Sequence, residues 1–393
     1  MPDFPFSAVV GQHTMQTALL AAAVDPGLGG VLIRGQKGTA KSTVVRALAS
    51  VLPPILAVAD CPYHCPPDNP ALMHDGCRQR LQDEQKLVSE EQPTPFVDLP
   101  LSATEDRLIG TLHLGKTLQT GERHFEAGLF AAANRGILYV DEVNLLPDHL
   151  VDLLLDVASS GINRVEREGL RFSHPAQFLL IGSMNPEEGE LRPQFLDRFG
   201  LCVSVTGLSD HALRREIITR RLAYEQDPEA FCRTYAAMEG LLRQQVRQAQ
   251  ARLPEIILEP EALNRAVALS TAGKTQGHRA ELAIVRTARA LAALCERNTI
   301  SLADIDEAAR YALPHRLGDA LGATPEDMLE RLPRLLETAN GDEPVPAEED
   351  LLPVDSLMEN MDFPGSAAAG SMLFTYLKKK LMTDISVQTK GSS

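Results

Sequence analysis

The chain has 393 residues and a formal net charge of −15. This length predicts two or three domains. The acidic charge and the absence of tryptophan argue against a nucleic-acid partner, because phosphate backbones are bound by basic surfaces and bases stack on aromatic side chains. No apolar run approaches the roughly 20 residues of a membrane span. The N-terminus lacks the basic and apolar regions of a signal peptide, which predicts a cytoplasmic protein.

The first informative motif is a glycine-bearing turn between a strand and a helix. Apolar residues 30–34 predict the strand, and residues 42–52 have a helical pattern. The turn between them reads Gly35-Gln36-Lys37-Gly38-Thr39-Ala40-Lys41-Ser42. This order is typical of a phosphate-binding loop, in which backbone N–H groups and the helix N-terminus hold anionic oxygens.

Within this loop, Lys41 is expected to reach the β- and γ-phosphates of ATP, and Ser42 to hold Mg²⁺. Thr43 completes the predicted nucleotide-binding set. Glycine usually precedes the lysine, and Ala40 stands there instead. An alanine fits most easily with a negative φ, so the sequence predicts a negative φ at Ala40. The alternative is a glycine-bearing loop in an ordinary αβ unit.

Two further apolar strands end in polar residues suited to hydrolysis. Residues 137–140 lead to Asp141 and Glu142, and residues 177–182 lead towards Asn185. Because the carboxyl ends of parallel strands meet at one edge of a sheet, these side chains are expected beside the phosphate loop. Asp141 would act on Mg²⁺ through water, Glu142 would polarise the attacking water, and Asn185 would help to hold that water.

An insert, residues 60–105, carries a group of cysteines. Cys61, Cys65 and Cys77 are close in the chain, with His74 nearby. Such a group suits a soft metal such as zinc, or an iron–sulfur cluster. The alternative is chance clustering in a loop, because the spacing matches no standard zinc knuckle. A disulfide is disfavoured in the cytosol.

The composition changes twice along the chain. Residues 1–206 alternate strand and helix patterns, which predicts an α/β fold with a parallel sheet. Residues 207–318 have helical periodicity, and Ser301 is expected to cap a helix together with Asp304. Residues 319–393 contain an acidic, proline-bearing linker and are predicted to be a flexible, largely disordered tail.

Five segments, in order, resemble the ATPase subunit I of magnesium chelatase and its cobalt-chelatase relatives, within the AAA+ superfamily. They are PFSAVVGQ near the N-terminus, the phosphate loop, YVDEVN, GSMNPEEGELRPQFLDRFG and GHRAE. The resemblance covers about residues 4–318. It implies an AAA+ P-loop αβα core with a parallel sheet, followed by a helical lid domain.

The resemblance also implies roles for single residues. The Walker A motif includes Lys41 and Ser42, the Walker B motif is Asp141 and Glu142, and sensor 1 is Asn185. Three arginines complete the set. Arg198 is the finger that reaches a neighbour's nucleotide, Arg192 is a second candidate for that role, and Arg279 is sensor 2, acting in cis or in trans. For any one arginine the alternative is a surface salt bridge.

The function implied by the resemblance is an ATP-hydrolysing motor subunit, using ATP and Mg²⁺, of a magnesium or cobalt chelatase. A separate large subunit binds the tetrapyrrole that receives the metal. Further implied partners are copies of the chain in a ring, expected to be a hexamer, and a von Willebrand A-type adaptor subunit. The alternative is a MoxR-type AAA+ ATPase that matures another metalloenzyme.

The family also implies a β-hairpin before the sensor 1 strand, at about residues 162–172. Its charged residues around a Glu168-Gly169 turn favour a solvated hairpin, which either contacts a partner or substrate or is an inert surface element. For the tail, one hypothesis is that the chain is a short product of a gene that also encodes a longer adaptor subunit, sharing residues up to about Lys380. The alternative is a plain disordered tail.

Overall fold

Five parallel strands form the centre of the fold, in the order β11-β1-β10-β7-β4. The structure is a computed structural model that describes residues 2–112, 125–167 and 170–317. The strands of this sheet are β1 (Val31–Gly35), β4 (Phe96–Leu99), β7 (Ile137–Val140), β10 (Leu179–Met184) and β11 (Leu201–Val205). The predicted α/β fold with a parallel sheet is confirmed.

The two strands β7 and β10 are buried along their whole length, as expected for strands covered by helices on both faces. Because β10 lies between β1 and β7, the three strands that carry the predicted motifs are neighbours. Their carboxyl ends therefore meet at one edge of the sheet.

Within the described residues, three antiparallel pairs of strands lie outside this sheet. They are β2 (Ile55–Val58) with β3 (Ser89–Gln92), β5 (Gly110–Leu112) with β6 (Phe125–Ala127), and β8 (Ile162–Arg167) with β9 (Leu170–Pro175).

The α-helices divide between the sheet region and a C-terminal helical region. In the sheet region they are α1 (His13–Val24), α2 (Lys41–Val51), α3 (Asp75–Gln82), α4 (Glu105–Ile109), α5 (Leu129–Ala132), α6 (Asp148–Ser160) and α7 (Pro193–Leu196). In the helical region they are α8 (His211–Gln226), α9 (Pro228–Arg252), α10 (Pro260–Ala272), α11 (Arg279–Leu294) and α12 (Leu302–Ala312). None of the helices within the described ranges has the length and apolar content needed to cross a bilayer.

The helical region shares a hydrophobic core with the sheet. Leu242 and Val246 of α9 belong to the same buried cluster as Leu19 of α1 and Leu48 of α2. The predicted cap of α12 is present, since Ser301 Oγ accepts from the Asp304 N–H and Asp304 accepts from the Ser301 N–H. This reciprocal pair satisfies two N–H groups that the first helical turn leaves free.

The β8–β9 hairpin is present and extends to Pro175, three residues beyond the predicted end. The expectation of a solvated hairpin is wrong for one face, because Asn163, Val165 and His174 are buried. Asn163 Nδ2 donates to the carbonyl of Ile109 at 2.8 Å, which ties the hairpin to the preceding segment. The turn, residues 168–169, and the predicted linker and tail, residues 319–393, lie outside the described residues.

Candidate nucleotide site and arginine edge

A cleft of about 470 Å³ opens at the carboxyl ends of β1, β7 and β10. Its lining contains most of the predicted nucleotide and hydrolysis residues: Lys37, Gly38, Thr39, Ala40, Lys41, Ser42, Thr43, Asp141, Glu142 and Asn185. The first two loop residues lie just outside the lining. Gly35 packs so closely on the backbone of β11 that an added Cβ would lie 2.3 Å from the Val205 carbonyl oxygen. Gln36 contacts Glu187 through its side-chain amide.

Lys41 is held inside the phosphate loop. Its Nζ donates to the carbonyl oxygens of Gly35 at 2.5 Å and Gln36 at 2.9 Å. Burial lowers the pKa of this half-buried ammonium. The ammonium, the N-terminus of α2 and the loop N–H groups offer donors, while Ser42 and Asp141 offer oxygen ligands. This donor set fits a triphosphate with a hard divalent cation.

The backbone at Ala40 differs from the sequence prediction. Its φ is +61°, in the left-handed region, and the expected negative φ is therefore wrong. The residue is the N-cap of α2, and the chain must reverse there to bring the loop over the helix N-terminus. The Cβ of an L-residue crowds the following carbonyl in this region, at a cost of roughly 1–2 kcal/mol.

We expect Ala40→Gly to raise the free energy of unfolding by about 1 kcal/mol, because glycine adopts a positive φ without that crowding. ATP affinity should be retained. Thermal or urea unfolding measures the first and nucleotide titration the second. The matched control is Ala49→Gly within α2, and its free energy of unfolding should fall by about 1 kcal/mol instead. A destabilised Ala40→Gly protein would contradict the backbone assignment.

Two buried side chains orient Asp141. The Tyr139 hydroxyl lies 3.0 Å from Asp141 Oδ1, and the Ser183 hydroxyl donates to the same oxygen. Tyr139 and Ser183 also contact each other at 3.1 Å. Burial raises the pKa of Tyr139, so the hydroxyl keeps its proton as a donor. Neither residue was predicted from sequence, although both lie on strands that carry predicted motifs, Ser183 in the lining of the cleft and Tyr139 in the core beside it.

We expect Tyr139→Phe to raise the Mg²⁺ concentration needed for half-maximal ATP hydrolysis by about tenfold. The reason is that a hydrogen bond to a charged group contributes about 1.5 kcal/mol or more. The measurement is a Mg²⁺ titration at saturating ATP. Tyr235→Phe in α9 is the control and should leave the Mg²⁺ dependence unchanged. An unshifted titration for Tyr139→Phe would mean that Ser183 alone holds the carboxylate.

Glu142 has an unusual backbone, with a φ of +55°. Non-glycine residues in this region are strained, and such strain concentrates at functional sites. Its carboxylate lies 3.8 Å from Lys37 Nζ, which pairs more closely with Glu188 at 2.5 Å. The hydrogen bond to Glu188 raises the pKa of Lys37. Asn185, the predicted sensor 1, is buried at the end of β10, and its Oδ1 accepts from the Glu187 N–H.

A second, mainly apolar cavity of about 210 Å³ adjoins the cleft, and both are lined by Gly38 to Ala40. Its other walls include Val9, Val10, Leu208 and Ile217. An apolar cavity beside a phosphate loop suits the base of a nucleotide. The sequence signal for this cavity is the PFSAVVGQ segment, which contributes Val9 and Val10 to its wall.

The three predicted arginines lie outside the lining of their own chain's cleft. Arg198 pairs with Asp156 of α6 at 2.6 Å, and Arg192 pairs with Asp148 of the same helix. Arg279, at the start of α11, donates to Asp197 at 2.6 Å. Because Asp197 and Arg198 are adjacent in the chain, Arg279 belongs to the same edge. We call Arg192, Arg198 and Arg279 the arginine edge.

Arg316 holds the loop of the arginine edge in place through hydrogen bonds to residues 197–200. It is almost completely buried, and it donates to Asp197 Oδ1 at 3.2 Å and to the carbonyls of Asp197, Phe199 and Gly200. Burial lowers its pKa, but a guanidinium stays charged in proteins. Arg316 therefore ties the end of the helical region to the loop that carries Arg198, and it was missed because a single arginine after a helix carries no sequence signal.

The predicted cysteine group comes together and gains a fourth member. Cys61, Cys65, His74 and Cys77 place one potential ligand atom each within 4.8 Å of one another. His74 Nδ1 lies 3.2 Å from Cys65 Sγ and 3.5 Å from Cys61 Sγ. The contact between Cys61 and Cys65 lowers the pKa of Cys61 and raises the pKa of Cys65, as expected for two thiols that share a proton.

This sheet order, with a phosphate loop after β1, an acidic pair after β7 and a helical region behind the sheet, defines a P-loop ATPase of the AAA+ class. Residues 73–208 match the family model of magnesium chelatase, subunit ChlI, and residues 263–334 match an AAA lid domain. The chain is 52% identical to the magnesium-chelatase 38 kDa subunit of Acidiphilium rubrum, over 81% of this chain and 92% of the relative. The chain belongs to the magnesium-chelatase subunit ChlI family.

Two solved structures are also similar. A protein of Cytophaga hutchinsonii assigned as an ATPase is 18% identical, with a TM-score of 0.55, over 84% of this chain and 90% of the other. That likeness concerns the fold. A chain in the complex between subunits BchI and BchD of magnesium chelatase is 46% identical, over 85% of this chain and 100% of the other, with a TM-score of 0.49. The family assignment favours a chelatase ATPase over the MoxR-type alternative.

Proposed function

We propose that the chain is the ATP-hydrolysing motor subunit of a magnesium chelatase, and that it drives insertion of the metal into a tetrapyrrole bound by a separate large subunit. The observation that carries this proposal is the meeting of the phosphate loop, Asp141–Glu142 and Asn185 at one sheet edge in a member of this family. ATP and Mg²⁺ are the cofactors that the AAA+ class uses. The names of the relatives favour magnesium over cobalt.

In the proposed mechanism, Lys41, which now donates to the carbonyls of the loop, would hold the β- and γ-phosphates, and Ser42 and Asp141 would hold Mg²⁺. This cation neutralises charge on the phosphates when it is bound. Glu142 orients and polarises the attacking water, and Asn185 holds that water against the γ-phosphate. Tyr139 and Ser183 keep Asp141 in one orientation throughout.

The position of the arginine edge supports the proposal that a second copy of the chain completes this machinery. Arg198 and Arg279 lie outside the cleft of their own chain, whose lining includes one arginine, Arg221, among the described residues. Charge on the transferred phosphoryl group is stabilised in this class of ATPase by a further arginine. We therefore assign both arginines to the nucleotide of a neighbouring subunit. A ring in which each edge faces the next cleft satisfies this need, and we propose a hexamer with a von Willebrand A-type adaptor as a further partner.

The domain division that goes with this function is a nucleotide-binding core of residues 1–206 and a helical lid of residues 207–318. The contacts of Arg316 and Arg279 with Asp197 give the lid a direct route to the loop of Arg198. A lid movement that follows hydrolysis would therefore move the arginine edge. Such coupling is how one subunit could transmit conformational work to the next.

The test is capture of partners followed by reconstitution. A tagged Glu142→Gln protein loaded with ATP serves as bait in an extract of the native source, and mass spectrometry identifies what it retains. We expect a large subunit and an adaptor, and with wild-type chain these should change the absorption spectrum of a metal-free porphyrin only when ATP and Mg²⁺ are present. Capture of an unrelated metalloenzyme, without a porphyrin change, would favour the MoxR-type alternative.

A further inference from the structure

The cysteine group lies apart from the nucleotide cleft, in the insert between β2 and β3. Its four members are Cys61, Cys65, His74 and Cys77, and all three cysteines are buried. Free cysteines are often buried singly as small apolar side chains. Three of them converging with an imidazole nitrogen is a different arrangement, because each thiol and the ring nitrogen faces the same point.

We propose that these four residues form a structural zinc site. Zinc prefers four ligands in a tetrahedron, with Zn–S of about 2.3 Å and Zn–N of about 2.0–2.1 Å. A tetrahedron with those lengths separates a sulfur from a nitrogen by about 3.6 Å and two sulfurs by about 3.8 Å. The observed distances of 3.2 and 3.5 Å from His74 Nδ1 to Cys65 Sγ and Cys61 Sγ agree with a single ion.

The same distances argue against an iron–sulfur cluster. Several irons and bridging sulfides separate the ligands of a cluster, so its thiolates lie farther apart than those around one ion. Here all four ligand atoms lie within 4.8 Å of one another. The Cys₃His set is also one of the usual sets of structural zinc sites, which are closed to solvent and carry no open position.

The surroundings of the ligands support a metal thiolate. The backbone N–H of His74 donates to Cys65 Sγ at 3.2 Å, and N–H donors to the sulfur stabilise a thiolate. The apolar core of the insert is small, with Val58, Tyr63 and Met73 packed among the cysteines. Its α3 buries Cys77 and no other residue, and β3 is largely exposed. An ion that joins residues 61, 65, 74 and 77 would stabilise this small core by linking four points of the insert.

The zinc site is in contact with the β8–β9 hairpin through Tyr63. The Tyr63 ring packs on the ligand His74, with ring centroids 4.5 Å apart, and on His174 of β9 at 4.7 Å. The insert is also joined by a hydrogen bond to the segment before β7, since Asn134 Nδ2 donates to the Tyr63 carbonyl at 2.6 Å. The site would thus hold the base of the hairpin in one position, independently of the nucleotide.

The experiment is native mass spectrometry and elemental analysis of the full chain, purified with a thiol reductant and without added metal. We expect one zinc per chain, lost in Cys65→Ser and in Cys77→Ser. Cys232→Ser removes a thiol outside the site and should keep the zinc. Asp141→Asn should keep it as well, which shows that the zinc does not occupy the Mg²⁺ position.

A second measurement uses the wild-type chain and therefore does not require any variant to fold. A strong chelator applied to the wild-type chain should lower its melting temperature, and added Zn²⁺ should restore it. Hydrogen exchange in residues 162–167 and 170–175 should rise on chelation, while exchange in α2 stays constant. Three results would each overturn the proposal. The first is a wild-type chain that carries no metal and whose three thiols react freely. The others are bound iron with visible absorption, or a mass two units lower because a disulfide has formed.

Discussion

Glu142→Gln should bind ATP and assemble normally but hydrolyse it at least about a hundredfold more slowly than wild type. A positioned general base contributes roughly 10²–10⁴ in rate, and the amide keeps the shape of the carboxylate without its basicity. Steady-state ATP hydrolysis measures the rate, and nucleotide titration measures binding. Lys41→Ala should differ, because it removes a phosphate ligand and so weakens binding itself.

The close contact between Lys37 and two carboxylates makes a control necessary. Lys37 lies 2.5 Å from Glu188 and 3.8 Å from Glu142, so a loss of rate could come from the ion pair instead of the water. Glu188→Gln removes the nearer partner and leaves Glu142 intact. Its rate should fall much less than that of Glu142→Gln. Equal losses in the two variants would assign the effect to Lys37, and turnover of Glu142→Gln within a few-fold of wild type would remove Glu142 from the mechanism.

The strand ends were predictable because a parallel sheet brings them together whatever the rest of the chain does. Apolar runs before Gly35, Asp141 and Asn185 predicted the three strands, and the topology then placed the polar residues at one edge. The backbone at Ala40 was not predictable in this way. Its positive φ follows from where the loop must point, which overrides the preference of a single alanine.

Residues whose role depends on a contact with a distant part of the chain were harder to predict than residues in motifs. Tyr139 is one of four apolar-type residues in a buried strand, and its hydroxyl acquires a role only because β10 places Ser183 beside it. His74 likewise joins the cysteines through the folding of residues 61–77, whose spacings taken together match no standard zinc knuckle. Such partners depend on contacts between strands and loops that sequence spacing alone does not give.

The sequence does not decide whether Arg279 acts in cis or in trans. Its ion pair with Asp197 favours one of the two roles. Arg279 and Arg316 share the two oxygens of this carboxylate, and Arg198 follows it in the chain. Arg279 is therefore held beside Arg198, the proposed finger. We propose on this ground that both act in trans.

Arg198→Ala should be inactive alone, with hydrolysis reduced by roughly 10³ or more, because an arginine finger stabilises the charge that develops on the transferred phosphoryl group. The pair with Asp156 is half-exposed and contributes little to stability, so the variant should fold and assemble. Arg233→Ala is the matched control, since this exposed arginine pairs with Glu229 of its own helix, and it should hydrolyse ATP like wild type.

An experiment that mixes two inactive variants distinguishes an arginine that acts in trans from one that acts in cis. A ring that contains both Arg198→Ala and Lys41→Ala subunits has some interfaces where an intact Lys41 in one chain faces an intact Arg198 in the next. Those interfaces should hydrolyse ATP, so activity should return on mixing two inactive proteins and reach a maximum at intermediate ratios. Arg279→Ala should be rescued by Lys41→Ala in the same way. If mixed rings form, as shown by mass spectrometry, and stay inactive at every ratio, Arg198 serves the nucleotide of its own chain, and the arginine edge has another purpose.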